Sequence, residues 1–363
     1  VGENVGSILG YSEQTDSTST LNSTRNNAEP IDNEVIFSVL IAGEGAMSNI
    51  TIDSTLSNTN GTVGGVIGVN SYNGINVGRL TNAYVTGSIV ATNNNVGGVI
   101  GVQNVGKKIT YDVEYSIPES SSANQIKSVG ESSILPTLEN ITSSVQITGN
   151  NNVGGVVGAD NGAYYKNVHY QIIDTGENSS YLVGSTNVGG IAGSSSDGYF
   201  ENCSVMSYRH DYNNLESTFV SAKADILGNN YVGGIVGLST SSLTSYLNSG
   251  SNQVSATLVL NSSVNAHISS NNKVGGLFSL NDDKPTTEII DGGISLVFNA
   301  YFLGKLDGSI YYHSVITGNP NTAVSLGSNS TYVFNIAYSV NVDDSGTVIE
   351  RSFRDNNVFN IKN

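Results

Sequence analysis

Histidine and cysteine, which bind zinc and act as nucleophiles in many enzymes, are few and widely separated in this sequence. The four histidines are His169, His210, His267 and His313, and the closest two are 41 residues apart (210 − 169). A zinc peptidase of the HExxH type needs two histidines four residues apart with a glutamate beside the first, so the sequence lacks that site. The single cysteine, Cys203, can form neither an intrachain disulfide nor a cysteine-based zinc site, and its strand-like surroundings predict a small buried side chain.

Acid–base cleavage of a polysaccharide is the other chemistry to consider, because some β-helical enzymes present clustered acidic and basic side chains on one strand face. The candidates are Asp160, Asp197, Asp282 and Asp283, with Lys284 close by. Each lies in a segment typical of a turn, such as GADNG, SSDG or LNDDKP. A chain with a net charge of −16 also repels polyanions. We therefore predict a protein that is not an enzyme and has no cofactor or metal site, and we keep a carbohydrate-active enzyme as the alternative.

The glycine-rich motif VGGVIG is the strongest pattern in the sequence. It lacks the Lys-Ser/Thr pair of a phosphate-binding loop, and no helical pattern follows it. Copies begin at Val63, Val96, Val153, Val188, Val232 and Val274, with a weaker copy at Val5. Such repetition indicates stacked structural units, in which paired glycines allow a sharp bend, a positive φ angle or a close approach between units. The glycines with this predicted structural role are Gly64, Gly65, Gly97, Gly98, Gly154, Gly155, Gly189, Gly190, Gly233, Gly234, Gly275 and Gly276.

A second repeated element, an asparagine followed by an alternating run, precedes most copies of the glycine motif. The shortest complete repeat is 27 residues, the separation of Asn140 and Asn167 (167 − 140). The alternating runs predict half-buried strands. The repeated asparagine has two interpretations: its amides form a ladder between neighbouring units, or it occupies a turn that needs left-handed backbone geometry. The residues concerned are Asn49, Asn82, Asn140, Asn167, Asn202 and Asn261.

The composition favours a β-rich fold with a buried core. Gly accounts for 42 of 363 residues, Asn for 47, and Ser and Thr together for 78, whereas charged residues are only 12%. The chain is 38% hydrophobic, with frequent Val, Ile and Tyr, which suit strands. Its 30 acids against 14 bases disfavour nucleic acid and anionic membranes as partners. No run of about 18 apolar residues is present, so we predict no membrane insertion.

We predict an all-β protein: a β-solenoid, similar to a parallel β-helix, of about seven coils with loop insertions, followed by a C-terminal β cap or domain. The solenoid is assigned to residues 1–280. Residues 281–363 form a divergent β region, a cap or assembly region, in which the asparagine element persists without the glycine strand. The largest insertions are predicted at Tyr11–Ala46, Val102–Pro136, Tyr208–Lys223 and Ser239–Ala256. They are tolerated because loop-closure entropy rises slowly with length.

The coupling of NNNVGGVIG to an upstream NAYVTGSIVAT resembles the GLUG repeat, over Asn4 to about Leu280. GLUG repeats occur in bacterial and protist surface proteins, including adhesin-like proteins and large IgA-type metallopeptidases. The resemblance implies a surface-exposed, solenoid-like stalk or binding region, and the repeat itself is not a catalytic signature. We therefore expect a non-catalytic extracellular or cell-surface element with a structural or adhesive role: a stalk, a coat or a filament subunit. A glycan- or protein-binding module of a larger adhesin is a further alternative.

Two residue types bear on how the surface is used. Asparagines in loop sequons are candidate N-glycosylation acceptors if a eukaryote secretes the protein: Asn22, Asn60, Asn178 and Asn329. The sequons at the repeated strand position, Asn49, Asn140, Asn202 and Asn261, are expected to be too enclosed. The 19 tyrosines suit exposed strand faces and contact surfaces, because tyrosine carries a polar tip.

The two ends of the chain carry different halves of the repeat. The chain opens with the glycine half, NVGSILG, and closes with the asparagine half, NVFNIKN. Each half alone leaves unpaired strand edges, and the two together would complete one unit. Either copies join head to tail into a filament, or the chain is a processed or excised part of a longer solenoid. The expected partners are other copies of itself, neighbouring surface proteins and glycans.

Overall fold

The computed structural model describes residues 4–14, 50–58, 61–72, 80–92, 94–104, 111–116, 125–129, 136–173, 180–209, 223–240, 253–254, 257–280, 295–298, 300–307, 331–334, 337–341 and 350–354. Within these ranges the chain contains strands and no helix, and most strand pairs are parallel. The predicted all-β class is therefore confirmed for the described residues.

The first sheet contains the Val-Gly segments of the glycine motif. Its seven described strands lie in chain order, and each pairs in parallel with the next. They are β1 (Asn4–Gly6), β4 (Thr62–Gly64), β7 (Val96–Gly97), β12 (Asn151–Gly154), β16 (Thr186–Gly189), β21 (Asn230–Gly233) and β26 (Val274–Gly275).

The second sheet contains the segments that directly follow the paired glycines. It also has seven described strands in the same order, so each copy of the motif contributes one strand to each sheet. The strands are β2 (Leu9–Gln14), β5 (Ile67–Tyr72), β8 (Ile100–Asn104), β13 (Val157–Asn161), β17 (Ala192–Ser196), β22 (Val236–Thr240) and β27 (Phe278–Leu280).

The third sheet contains the asparagine element and has fifteen described strands. All its pairs are parallel except the last, between β31 and β32. The strands are β3 (Ile50–Asn58), β6 (Leu80–Ala91), β11 (Leu138–Thr148), β14 (Tyr164–Ile172), β15 (Leu182–Val183), β18 (Tyr199–Glu201), β19 (Ser204–Ser207), β20 (Ile226–Gly228), β24 (Thr257–Leu260), β25 (Ser263–Ser270), β28 (Ser295–Phe298), β29 (Tyr301–Asp307), β30 (Thr331–Phe334), β31 (Ala337–Asn341) and β32 (Glu350–Arg354). The sheet thus continues past residue 280, and the division of the chain at that point stays a prediction.

A small antiparallel sheet joins two segments that the sequence marks as insertions. Strands β9 (Tyr111–Ser116) and β10 (Gln125–Val129) lie in the insertion Val102–Pro136, and β23 (Gln253–Val254) lies in Ser239–Ala256. Strand β9 is central and pairs with both others. The two insertions therefore meet, although more than a hundred residues separate them in the chain.

The core lies between the three large sheets and is built from rows of identical positions. The valine that opens each glycine motif is 0% exposed in six copies and pairs in register with its equivalent in the next repeat. Branched side chains pack well on such a pleated surface. The six valines are Val63, Val96, Val153, Val188, Val232 and Val274.

The two glycines of each motif lie in different surroundings, and neither leaves room for a side chain. A Cβ on the first would strike a carbonyl of its own repeat; on Gly64 it would lie 1.9 Å from the oxygen of Ile67. A Cβ on the second would strike the equivalent glycine of the next repeat; on Gly98 it would lie 2.1 Å from the oxygen of Gly155. None of these glycines is among the described positive-φ residues. The pair therefore permits a tight bend and then a close approach between repeats.

A comparison of two alanine substitutions tests the close approach. Gly98→Ala brings a methyl group against a backbone oxygen, which cannot move away, so we expect a loss of about 3 kcal/mol or more in the free energy of unfolding. Gly184→Ala places its methyl 2.7 Å from a valine methyl, and we expect a smaller loss, about 1 kcal/mol. Urea denaturation of the wild type and the two variants measures both losses in the free energy of unfolding. Equal losses would contradict the backbone contact.

Candidate functional site

Five of the repeated asparagines lie at the same bend of the third sheet, and four of them bond to one another through their side chains. Their backbone is left-handed, with φ between 50° and 56° at Asn82, Asn140, Asn167, Asn202 and Asn261. The side-chain amide of Asn140 donates to Asn82 at 3.0 Å, that of Asn167 to Asn140 at 2.9 Å, and that of Asn202 to Asn167 at 2.6 Å. The turn and the ladder are thus one feature at Asn82, Asn140, Asn167 and Asn202. Asn49 lies outside the described residues.

A second amide ladder lies at the start of the first-sheet strands. Asn152 donates to Asn95, and Asn187 donates to Asn152, each at 2.7 Å, and all three residues have positive φ. In the next repeat Tyr231 holds the same conformation, with φ 53°. The ammonium of Lys273 then lies 4.9 Å from the centre of the Tyr231 ring, a cation–π distance. In the sequence, the segments TNNN, GNNN, GNNY and SNNK before the glycine motif are turn signals and do not by themselves indicate a ladder.

Tyrosine hydroxyls complete the third sheet where a strand loses its partner. Strand β11 pairs with β14 up to Ser143 and with β15 only from Ile147. Between these points the carbonyl of Ser144 accepts a hydrogen bond from the Tyr181 hydroxyl at 2.6 Å, and the carbonyl of Val145 accepts one from Tyr170 at 2.9 Å. A buried carbonyl left unpaired would cost about 1–3 kcal/mol.

The expectation that tyrosines lie on exposed faces is therefore wrong for many of them. The side chain carries enough apolar surface to be buried once its hydroxyl has a partner. Six described tyrosines are buried: Tyr164, Tyr165, Tyr170, Tyr181, Tyr199 and Tyr231. Three are exposed, namely Tyr84, Tyr208 and Tyr301.

Asp160, a candidate acid from the sequence, is buried and holds a turn together. Its carboxylate accepts hydrogen bonds from the Tyr165 hydroxyl at 2.8 Å, the Ser195 hydroxyl at 2.7 Å and the Ala163 amide at 3.0 Å. Burial raises its pKa from 3.8 to about 6, although these hydrogen bonds act in the opposite direction. Asp197 is also buried and has a left-handed backbone, with φ 64°. Asp282, Asp283 and Lys284 lie outside the described residues.

A second polar cluster, buried except for the partly exposed Asp307, lies beside β20, β25 and β29. The carboxylate of Asp225 is fully buried, lies 3.4 Å from the Arg209 guanidinium and accepts a hydrogen bond from the His267 amide at 2.8 Å. The His267 imidazole lies 2.6 Å from the Asp307 carboxylate. Ion pairing of this kind is what allows a charge to be buried. Sequence reasoning missed the cluster, because nothing in the sequence brings these four residues together.

Acid and base alternate in one outward row of the third sheet. In-register pairing places Glu139 beside Lys166 and Lys166 beside Glu201. The hydroxyl of Tyr164 donates to Glu201, and the Tyr164 ring stacks on Tyr199 with centroids 4.4 Å apart. This alternation of charge is typical of side-chain pairing between strands. It is not the arrangement of two carboxylates that act together on one substrate.

Cys203 and the sequons complete the sequence-derived candidates. Cys203 is buried as predicted, and burial raises the pKa of its thiol to about 12. The candidate acceptors Asn22, Asn60, Asn178 and Asn329 lie outside the described residues. The sequon residues Asn140, Asn202 and Asn261 are exposed, so the expectation that they are enclosed is wrong. For Asn140 and Asn202, however, the amide nitrogen that would carry a glycan donates to the ladder.

Two substitutions at Asn167 separate the turn from the ladder. Asn167→Gly keeps the left-handed backbone accessible and removes the amide, so we expect a loss of about 1–2 kcal/mol from two hydrogen bonds. Asn167→Ala removes the amide and adds a strain of about 1–2 kcal/mol from the left-handed conformation. Chemical denaturation should therefore rank wild type above glycine and glycine above alanine. If glycine matched the wild type, the ladder would contribute nothing.

The raised pKa of Asp160 predicts a pH-dependent stability. Between pH 4 and 6 the folded carboxyl keeps a proton that the unfolded chain releases, so its contribution to stability falls as pH rises and is level above about pH 6. Asp160→Asn removes this titration while Ser195 can reorient to accept from the new amide. Relative to wild type, the variant should gain about 3 kcal/mol between pH 4 and 7, by urea denaturation at each pH. A difference that did not change with pH would exclude this role.

Comparison with known proteins assigns no relative to this chain: no family model matches it, and neither curated proteins nor solved structures give a match. Among the described residues, no helix is long and apolar enough to cross a membrane. In the same part of the chain, no group of three or more His, Cys, Asp or Glu side chains is placed to hold a metal ion.

Proposed function

We propose that the chain is a non-catalytic structural or adhesive element of a cell surface, built as a β-solenoid of about seven coils. In this interpretation each coil contributes one strand to the first sheet, one to the second and one or more to the third. The parallel order of the strands, shared by the first two sheets, supports the proposal. So does the in-register stacking of identical residues, which is typical of solenoids.

One observation carries the functional conclusion: the repeated side chains make contacts between neighbouring repeats. The valines are buried in a row, the second glycines approach the next backbone, and the asparagine amides bond to one another. A repeat used in this way builds length and rigidity, which suits a stalk, a coat or a filament subunit. An enzyme would instead need a unique group of reactive side chains at one position.

The region 281–363 is proposed to cap the solenoid or to mediate assembly. Strands β28 to β31 extend the third sheet in parallel, and β32 then pairs antiparallel with β31. This reversal of direction ends the parallel series of strands. Partners at this end would be other copies of the chain or neighbouring surface proteins, in head-to-tail order if a filament forms.

Labelling of intact cells tests the location and role together. An antibody against residues 4–280 should label unpermeabilised cells that express the natural protein, and mild protease treatment of those cells should remove the signal. The purified chain should release no sugars from polysaccharides and no peptides from casein. Labelling that required permeabilised cells would overturn the surface location, and turnover of either substrate class would overturn the non-catalytic role.

A further inference from the structure

One outward row of the third sheet differs from the rows around it. Six residues on neighbouring strands lie opposite one another in register, and the row continues beyond them to Thr51 on β3 and Ala337 on β31. We name the six residues the polar-aromatic strip: Tyr84, Thr142, His169, Ser204, Ser263 and Tyr301. Its strands are β6, β11, β14, β19, β25 and β29, so the strip runs across the strands, along the direction in which repeats stack.

The strip faces outward. On every one of the six strands the residue after the strip position is buried, for example Val85 after Tyr84, Val205 after Ser204 and Phe302 after Tyr301. Since side chains alternate along a strand, the strip side chains point away from the core. The two tyrosines at its ends are 39% and 44% exposed, an unusual state for so large a ring in this protein.

The strip carries no carboxylate, ammonium or guanidinium group. Neighbouring outward positions on the same sheet hold Glu139, Lys166, Glu201 and Asp53. Its only titratable group near neutral pH is His169, whose pKa is lowered by burial, so the strip is neutral at pH 7. The His169 ring is fixed by a contact of 2.8 Å between Nδ1 and the Ser204 hydroxyl.

We propose that the polar-aromatic strip binds a linear, neutral, β-1,4-linked oligosaccharide. Two exposed aromatic rings separated by hydroxyl and imidazole groups offer both kinds of contact that a pyranose chain uses: apolar ring faces for tyrosine, and hydroxyls for the polar side chains. An uncharged row within a chain of net charge −16 fits a neutral glycan and disfavours an acidic one.

The spacing of the strip also suits a linear glycan. Neighbouring strands lie about 4.8 Å apart, and a pyranose ring in a β-1,4-linked chain advances by a similar distance. The five intervals between Tyr84 and Tyr301 therefore span about 24 Å. A ligand of about six sugars would extend from one tyrosine to the other and pass over the four polar residues between them.

Calorimetric titration with cellohexaose, hexa-N-acetylchitohexaose and the acidic, β-1,4-linked hexamannuronate tests the proposal on the full chain. We expect at least one neutral hexasaccharide to bind at millimolar concentration or below, and the acidic one not to bind. Tyr84→Ala and Tyr301→Ala should each weaken binding about tenfold, because each removes one end of the strip. Tyr208→Ala is the matched control: Tyr208 is 60% exposed but lies outside the strip, so its removal should leave the affinity unchanged.

Three results would overturn the proposal: no binding of either neutral hexasaccharide, tighter binding of hexamannuronate, or an affinity that Tyr208→Ala lowers as much as the strip variants do. All three substitutions are at exposed positions, and circular dichroism checks that each variant keeps its strands. The inference deepens the proposed surface role, yet the two can fail separately. Loss of glycan binding leaves the labelling of intact cells unchanged, and labelling that needs permeabilised cells leaves the calorimetric result unchanged.

Discussion

The close approach of neighbouring backbones at the second glycine of each motif is the constraint on which the rest of the structure depends. A Cβ at Gly155 would lie 2.2 Å from the carbonyl oxygen of Gly190, so only glycine allows the two repeats to come this close. The spacing set here keeps the valines of the first sheet in register. It also keeps the asparagine amides within the 2.6–3.0 Å that their hydrogen bonds require. A wider separation at this glycine would therefore disrupt the valine and asparagine rows, which lie elsewhere on the repeat.

The third sheet absorbs the differences in length between repeats. The first and second sheets have one described strand for each copy of the motif, whereas strands of the third sheet are divided, as where β11 faces β14 and then β15. A divided strand leaves backbone groups without a ladder partner, and burial makes that costly. Tyr170 and Tyr181 supply the missing donors at one such point. Near another, where β19 and β20 are separate strands, Arg209 and Asp225 form a buried ion pair.

How much could be predicted from the sequence depends on how local each feature is. The all-β class, the glycine rows and the asparagine row follow from a repeat that is visible along the chain. The same pattern could not decide between turn and ladder for Asn167, because the ladder depends on the distance to Asn140 in the folded structure. The burial of Tyr181 depends on where β11 loses its partner. The contact of His267 with Asp307 spans 40 residues. Both depend on how strands of different repeats pair in the folded structure, which the repeat pattern along the chain does not encode.

The stacked residues are needed for the fold, so they are not free to change with function. A specific binding function must therefore depend on side chains outside the stack. The outward rows of the third sheet meet this condition, since their positions are held by the buried rows beneath them. Neighbouring rows there differ in chemistry: Lys166 lies between two glutamates, whereas Thr142 and His169 belong to an uncharged row. A row that crosses parallel strands lengthens by about 4.8 Å with each added strand. In such a fold, added repeats lengthen an outward row and, with it, the linear ligand that the row can bind. The residues that make the stack stay the same.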